Sequence, residues 1–161
     1  MIPARMITAL KAEIEEAVKD YRLQAEGQTE KKVTVYAQHI PDENFADDTY
    51  YPLVVASVQK VEDKEAGESV ATVGLTIGVY GTDEAAWMDL LSIMERIRQH
   101  LLLHPLVDRR YGLQLPVEWE TIESQPYPFW FGYGTLKYSV GQPIPEPYYR
   151  GMENEYGFRQ S

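Results

Sequence analysis

The stretch Thr82 to Leu103 constrains the fold more than any other. Trp87, Leu90, Leu91, Met94, Ile97 and Leu101 recur at three- and four-residue spacing, which is the pattern of a helix with one apolar stripe. Asp89, Ser92, Glu95, Arg96 and Gln99 fall mostly on the other face. Thr82 is expected to cap the helix, with Asp83 and Glu84 in the first turn, where the helix dipole favours negative charge. Arg96, Arg98 and His100 put cations near the far end, and Pro105 stops the helix by biasing His104 away from the α region. A helix of this length needs a sheet to cover, so Trp87, Leu91, Met94 and Ile97 are assigned to the core.

The flanking segments supply that sheet. Ile7, Leu10, Ile14, Ala17, Val18 and Tyr21 predict a first helix over Pro3 to Ala25, with Glu15 and Lys19 as a favourable pair and Gly27 just past its end. Val33 to Ile40 alternates as a strand, and Pro41 to Tyr50 is an acidic loop. Leu53 to Val61 and Val70 to Tyr80 read as a hairpin around the charged Glu62 to Ser69 connection. In the second of these strands Thr72, Gly74, Thr76 and Gly78 form a small face that would let a backbone or a neighbouring subunit come close. Leu115 to Ser124 and Phe129 to Val140 are the last two strands. Helices set apart from short-looped strand pairs give an α+β fold, with a mainly antiparallel sheet of about four to five strands and two helices on one face. Residues 1–140 form that single domain. Residues 141–161, with Pro143, Pro145, Pro147, Tyr148, Tyr149, Tyr156 and Phe158, form an extended tail too aromatic for an inert linker.

Composition removes several function classes. The 161 residues contain no cysteine, so thiol catalysis, disulfides and thiolate metal sites are out. A net charge of -10 disfavours direct nucleic-acid binding, and Arg96, Arg98, Arg109 and Arg110 read as helix and loop charges rather than a phosphate patch. No apolar run suits a signal peptide or a membrane span, which sets the expectation of cytoplasmic synthesis.

No catalytic constellation stands out. His100 and His104 share a helical face at a zinc-compatible spacing, but no Glu follows His100, and capping or packing is the better reading. His39 has no obvious partner. Gly132-Tyr133-Gly134 lacks the third glycine of a dinucleotide loop. Glu118 and Glu120 share a strand face about 7 Å apart, as an inverting glycosidase would need, with Glu123 nearby, but a solvated strand face is the commoner meaning. The acidic residues from Asp42 to Asp48 do not follow the calcium-loop spacing. The aromatic cluster of Tyr127, Phe129, Trp130, Phe131, Tyr133 and Tyr138 lacks the cations of a nucleic-acid platform and reads as core plus protein interface.

Several motifs together resemble one family. They are an N-terminal helix, the strand opening Tyr51-Pro52-Leu53-Val54-Val55, a strand ending Val79-Tyr80-Gly81, a long helix, and Pro126-Tyr-Pro-Phe-Trp-Phe-Gly132 leading into a strand. This pattern resembles the tail-terminator, or tail-completion, proteins of long-tailed bacteriophages and prophages, over roughly residues 5 to 140. The resemblance implies an α+β subunit that assembles with itself into a ring, commonly a hexamer, which caps the tail tube and joins it to the head. The implied partners are tail-tube and head-connector proteins, with no membrane and no sequence-specific nucleic acid. The implied places are the host bacterial cytoplasm during assembly and then the virion tail. It implies no cofactor, no metal and no catalytic residue. Acidic charge on the inner wall would let DNA slide through. The tail after Gly141 lies outside the pattern and is expected to act as an arm onto a neighbour. The expected interface residues are Trp130, Phe131, Tyr133, Tyr148 and Tyr149. The alternatives are another head-tail connector or tail-tube component, or a small ligand-binding or enzymatic domain using Glu118, Glu120 and His100 in a groove between helix and sheet.

Overall fold

A computed structural model describes residues 4–143. The chain runs α1 (Ala4–Val18), β1 (Thr34–Ala37), β2 (Leu53–Asp63), β3 (Ser69–Tyr80), α2 (Ala85–Leu103), β4 (Leu106–Val107), β5 (Tyr111–Thr121) and β6 (Phe129–Val140). The class is α+β, as the pattern of elements predicts. The sheet has six strands in the order β1-β2-β3-β6-β5-β4 and is mixed, because β1 runs parallel to β2. The expected count of four to five strands is corrected by this, and the sheet is mainly antiparallel, as expected, apart from the β1–β2 pair. β4 spans two residues, too few to carry a period. β1 reaches β2 through residues 38–52, which cross the sheet with two short 3-10 turns, Pro41–Glu43 and Asp48–Tyr50, and no α-helix.

The two helices lie on one face. Met6, Leu10 and Ile14 of α1 and Leu90, Ile93, Ile97 and Leu101 of α2 meet Val54, Ala71, Val73, Leu75, Ile77 and Leu136 of the sheet in one buried cluster. α1 touches β1, β2 and β4, so the sheet curls around it, and Arg5 closes on Asp108 in the β4–β5 turn at 2.7 Å. In β6, Leu136 and Tyr138 face the helices, whereas Phe129 and Phe131 face away.

On that opposite face a second, smaller core forms. Ile40, Tyr51, Leu53 and Val55 are buried there, with Tyr36, Tyr50, Tyr80, Phe129 and Phe131 packed around them. The 38–52 connection builds it by folding over the sheet, held by the Tyr51 hydroxyl donating to the Phe45 carbonyl at 2.8 Å. The small face of β3 is therefore not open to a subunit at Gly78. A Cβ added there would stand 2.6 Å from Tyr51 Cε2 and 3.1 Å from Phe131 Cε1. Gly74 is likewise covered by the Gln59 side chain.

The first helix is shorter than its apolar spacing predicts. It ends at Val18, and Leu23 and Ala25 are buried from a non-helical segment that follows. Gly27 has a left-handed φ of +78°, but it sits in that segment and not at the helix end. Lys19 pairs with Glu16 at 2.6 Å, and Glu15 faces Lys11 at 4.0 Å, so the expected Glu15–Lys19 pair is replaced. The first strand is four residues long and ends where Gln38 turns out at φ 72°. There the Gln38 side-chain carbonyl accepts from the Val58 N–H at 2.7 Å.

Candidate functional site

The setting of α2 against the sheet decides which of its residues are available to a partner. The helix begins at Ala85, not at Thr82, and the residue before it, Glu84, makes no side-chain cap bond. Asp83 reaches sideways instead and accepts from the Glu26 N–H at 3.2 Å. The rotation of the helix is fixed by Asp89, which the sequence pattern places on the polar face but which is 0% exposed. Its carboxylate accepts from the Tyr21 hydroxyl at 2.5 Å, the Gln24 N–H at 3.0 Å and the Ala25 N–H at 2.9 Å. A buried carboxylate needs such a set of donors to replace water. The segment after α1 supplies it, which is why that segment leaves the helix. Burial, and then the bond to Asp89, push the Tyr21 hydroxyl up to about 12. Arg96 stacks over the same ring at 5.2 Å.

With Asp89 inward, the buried stripe is Ala86, Leu90, Ile93, Ile97 and Leu101. Trp87 and Leu91 lie roughly 100° round the helix from that stripe and are 40% and 46% exposed. Their assignment to the core is therefore corrected, while Met94 and Ile97 are buried as expected. The helix packs mainly on β3 and β6, leaving the flank toward β5 uncovered.

A groove of about 430 Å³ runs along this flank, lined by Leu91, Met94, Glu95, Arg98, Trp119, Glu120 and Thr121. Its floor is shaped by glycines of β6. A Cβ at Gly134 would stand 2.8 Å from the Trp119 ring, and Met94 lies over Gly132. Each missing side chain lets a large residue descend onto the sheet. Arg98 donates to Glu95 at 2.9 Å along the rim. Beside the groove, β4 pairs with β5 only at Tyr111 and Gly112. The β5 edge beyond them has no strand partner among the described residues. Leu115 on that edge is 73% exposed, at a register shift that also contains Pro116.

The groups singled out for chemistry do not converge in this groove. Of Glu118, Glu120 and His100, Glu120 alone lines it. Glu118 and Glu120 pair across β6 with Thr135 and Tyr133 on the sheet face away from the helices. His100 Nε2 lies within hydrogen-bond distance of Glu13 Oε2, at 2.6 Å. His104 stacks beside it with ring centroids 4.6 Å apart. Asp42 to Asp48 fold into two short 3-10 turns, with the Asp47 carboxylate accepting from the Thr49 N–H. Among the described residues no group of three or more His, Asp or Glu is placed to hold a metal ion, and no helix is long and apolar enough to cross a membrane.

The expected interface residues divide. Trp130 is partly buried and donates its ring N–H to the Gly81 carbonyl at 3.0 Å. Phe131 packs edge-on against Tyr51 at 5.9 Å. Tyr133 is half-exposed on the far sheet face, and Tyr148 and Tyr149 lie outside the described residues. What sequence reasoning missed is the α2 flank, whose residues look like core by spacing. The segments Tyr51–Val55, Val79–Gly81 and Pro126–Gly132 meet at one end of the sheet: Tyr51 stacks on Phe129 at 5.0 Å, and the Gly81 N–H donates to the Pro128 carbonyl at 3.0 Å. No known family model and no curated protein matches the chain.

Proposed function

We propose that this chain is a structural subunit of a phage or prophage tail, assembling into a ring that terminates the tail tube and joins it to the head. The observation that carries the assembly part is the apolar flank of α2. Trp87 and Leu91 stand exposed beside a groove walled by Met94 and Trp119, next to an open sheet edge. Large apolar side chains grouped around a concavity mark contact surfaces for other proteins. The tail part rests on the sequence resemblance. Its motifs come from distant stretches of the chain and meet in one packed unit, as motifs that build a scaffold rather than a reaction centre would. The net charge of -10 suits a ring through which DNA passes. An enzymatic use of the groove is less favoured, since Glu118 and His100 are placed elsewhere.

The test is Leu91→Asp. The variant is expected to retain the parent's circular dichroism and to lose the ring-shaped particles that the parent forms in negative-stain electron microscopy. If Leu91→Asp gives the same rings as the parent, the flank is not the contact surface.

A further inference from the structure

We propose that the β4–β5 turn of one copy, carrying Arg109 and Arg110, docks against the acidic tip of the β2–β3 hairpin of the next copy, as the charged rim of the subunit contact. This deepens the assembly reading above and rests on it. Arg109 and Arg110 are exposed and, among the described residues, join no ion pair. The turn's own carboxylate, Asp108, is held by Arg5 at 2.7 Å, so the two arginines are left as surplus positive charge. At the hairpin tip Glu65 and Glu68 are exposed and likewise join no ion pair among the described residues. Lys64, the cation between them and β2, lies 3.9 Å from Glu62. The surplus charge is therefore positive on the turn and negative on the hairpin, which is the complementarity that selects a partner.

The two surfaces lie at the same end of the sheet and on its opposite sides. Asp63 pairs with Ser69 and Ser69 with Val140. The adjoining Ser139 pairs with Gly112, and Gly112 with Leu106. β2 and β4 stand four strand spacings apart, about 19 Å along the sheet, beyond the reach of an ion pair within one copy. β1 covers only Leu53 to Ala56 of β2, so β2 is itself the outer strand at this end. The occupant is a second copy because the chain carries the complementary surface itself, at the same level and on the side that a ring brings alongside. A contact between one side of a subunit and the opposite side of the next is heterologous, and it closes into a ring when the rotation allows. Beside the turn, Leu103, Leu106 and Leu115 are 76%, 55% and 73% exposed. They give the apolar centre that a charged rim surrounds.

Charge reversal on the full-length chain tests this. One variant carries Arg109→Asp and Arg110→Glu, with Asp chosen because it accepts the left-handed φ of 56° at position 109. A second carries Glu65→Lys and Glu68→Lys, and a third carries all four changes. Circular dichroism checks that each keeps the fold. By light scattering, each two-site variant should need about tenfold more protein than the parent to assemble, and the four-site variant should return to within about twofold of it. Rescue decides the matter, since a turn or hairpin that only supports its own subunit gains nothing from the second pair of changes. Two-site variants that assemble like the parent, or a four-site variant no better than they are, overturn the proposal and leave the assembly reading standing. So does a DNA duplex that binds the parent but not the Arg109→Asp, Arg110→Glu variant while assembly is unchanged, which would assign the turn to phosphate. A parent that is monomeric at every concentration removes both.

Discussion

Asp89→Ala should be among the most damaging single substitutions in the domain, although the helical pattern marks the position as surface. The carboxylate is fully buried and satisfies three donors. Once it is gone, the Ala25 N–H is left without a partner in a buried position, which costs about 1–3 kcal/mol. The Tyr21 hydroxyl and the Gln24 N–H sit nearer water and rehydrate, each losing about 0.5 kcal/mol. The expected total is about 3 kcal/mol, a large part of the roughly 5–15 kcal/mol that holds a domain folded. Asp89→Asn should cost about 1 kcal/mol, because the amide oxygen can still accept from the two backbone N–H groups while its NH2 donates to the Tyr21 oxygen. Urea unfolding followed by tryptophan fluorescence reads both. At an m-value of about 2 kcal/mol/M the alanine midpoint falls by about 1.5 M and the asparagine midpoint by about 0.5 M. An alanine variant within 0.5 kcal/mol of the parent at unchanged m would refute the account of how α2 is set on the sheet.

Two further perturbations read other parts of the structure. Gly78→Ala should destabilise by about 1–3 kcal/mol, measured as a lower urea midpoint, because the new methyl meets the Tyr51 and Phe131 rings in the second core. In alkali, Tyr21 and Tyr51 hold their protons more tightly when folded, both pushed up to about 12 chiefly by burial, and burial raises Tyr138 as well. The unfolded chain therefore releases these protons first. The stability they contribute is complete below pH of about 10 and lost as pH rises toward about 12. Phenolate absorbance should rise together with loss of circular dichroism, and full ionisation with the fold intact would contradict the burial.

The sequence is legible wherever a period meets a single environment. β6 is legible as a strand because its alternation of small and large residues meets a core on each face. α2 reads as a helix, but its stripe is set too wide. Trp87 and Leu91 keep the spacing of core residues while the sheet beneath them ends in a groove. Asp89 could not be read at all, since its donors lie more than sixty positions away in the chain. The end of α1 is hidden for the same reason: Leu23 and Ala25 extend the apolar pattern past the point where Asp89 draws the backbone out of the helix. The parallel β1–β2 pair is concealed because its crossover is a loop. That loop's value, covering the far sheet face through Ile40 and Tyr51, appears only in three dimensions.

The central claim is self-assembly, and the mass in solution tests it most directly. Light scattering across a concentration series should show one discrete oligomer, near six subunit masses, that persists on dilution. A particle of one subunit mass at every concentration would contradict the account.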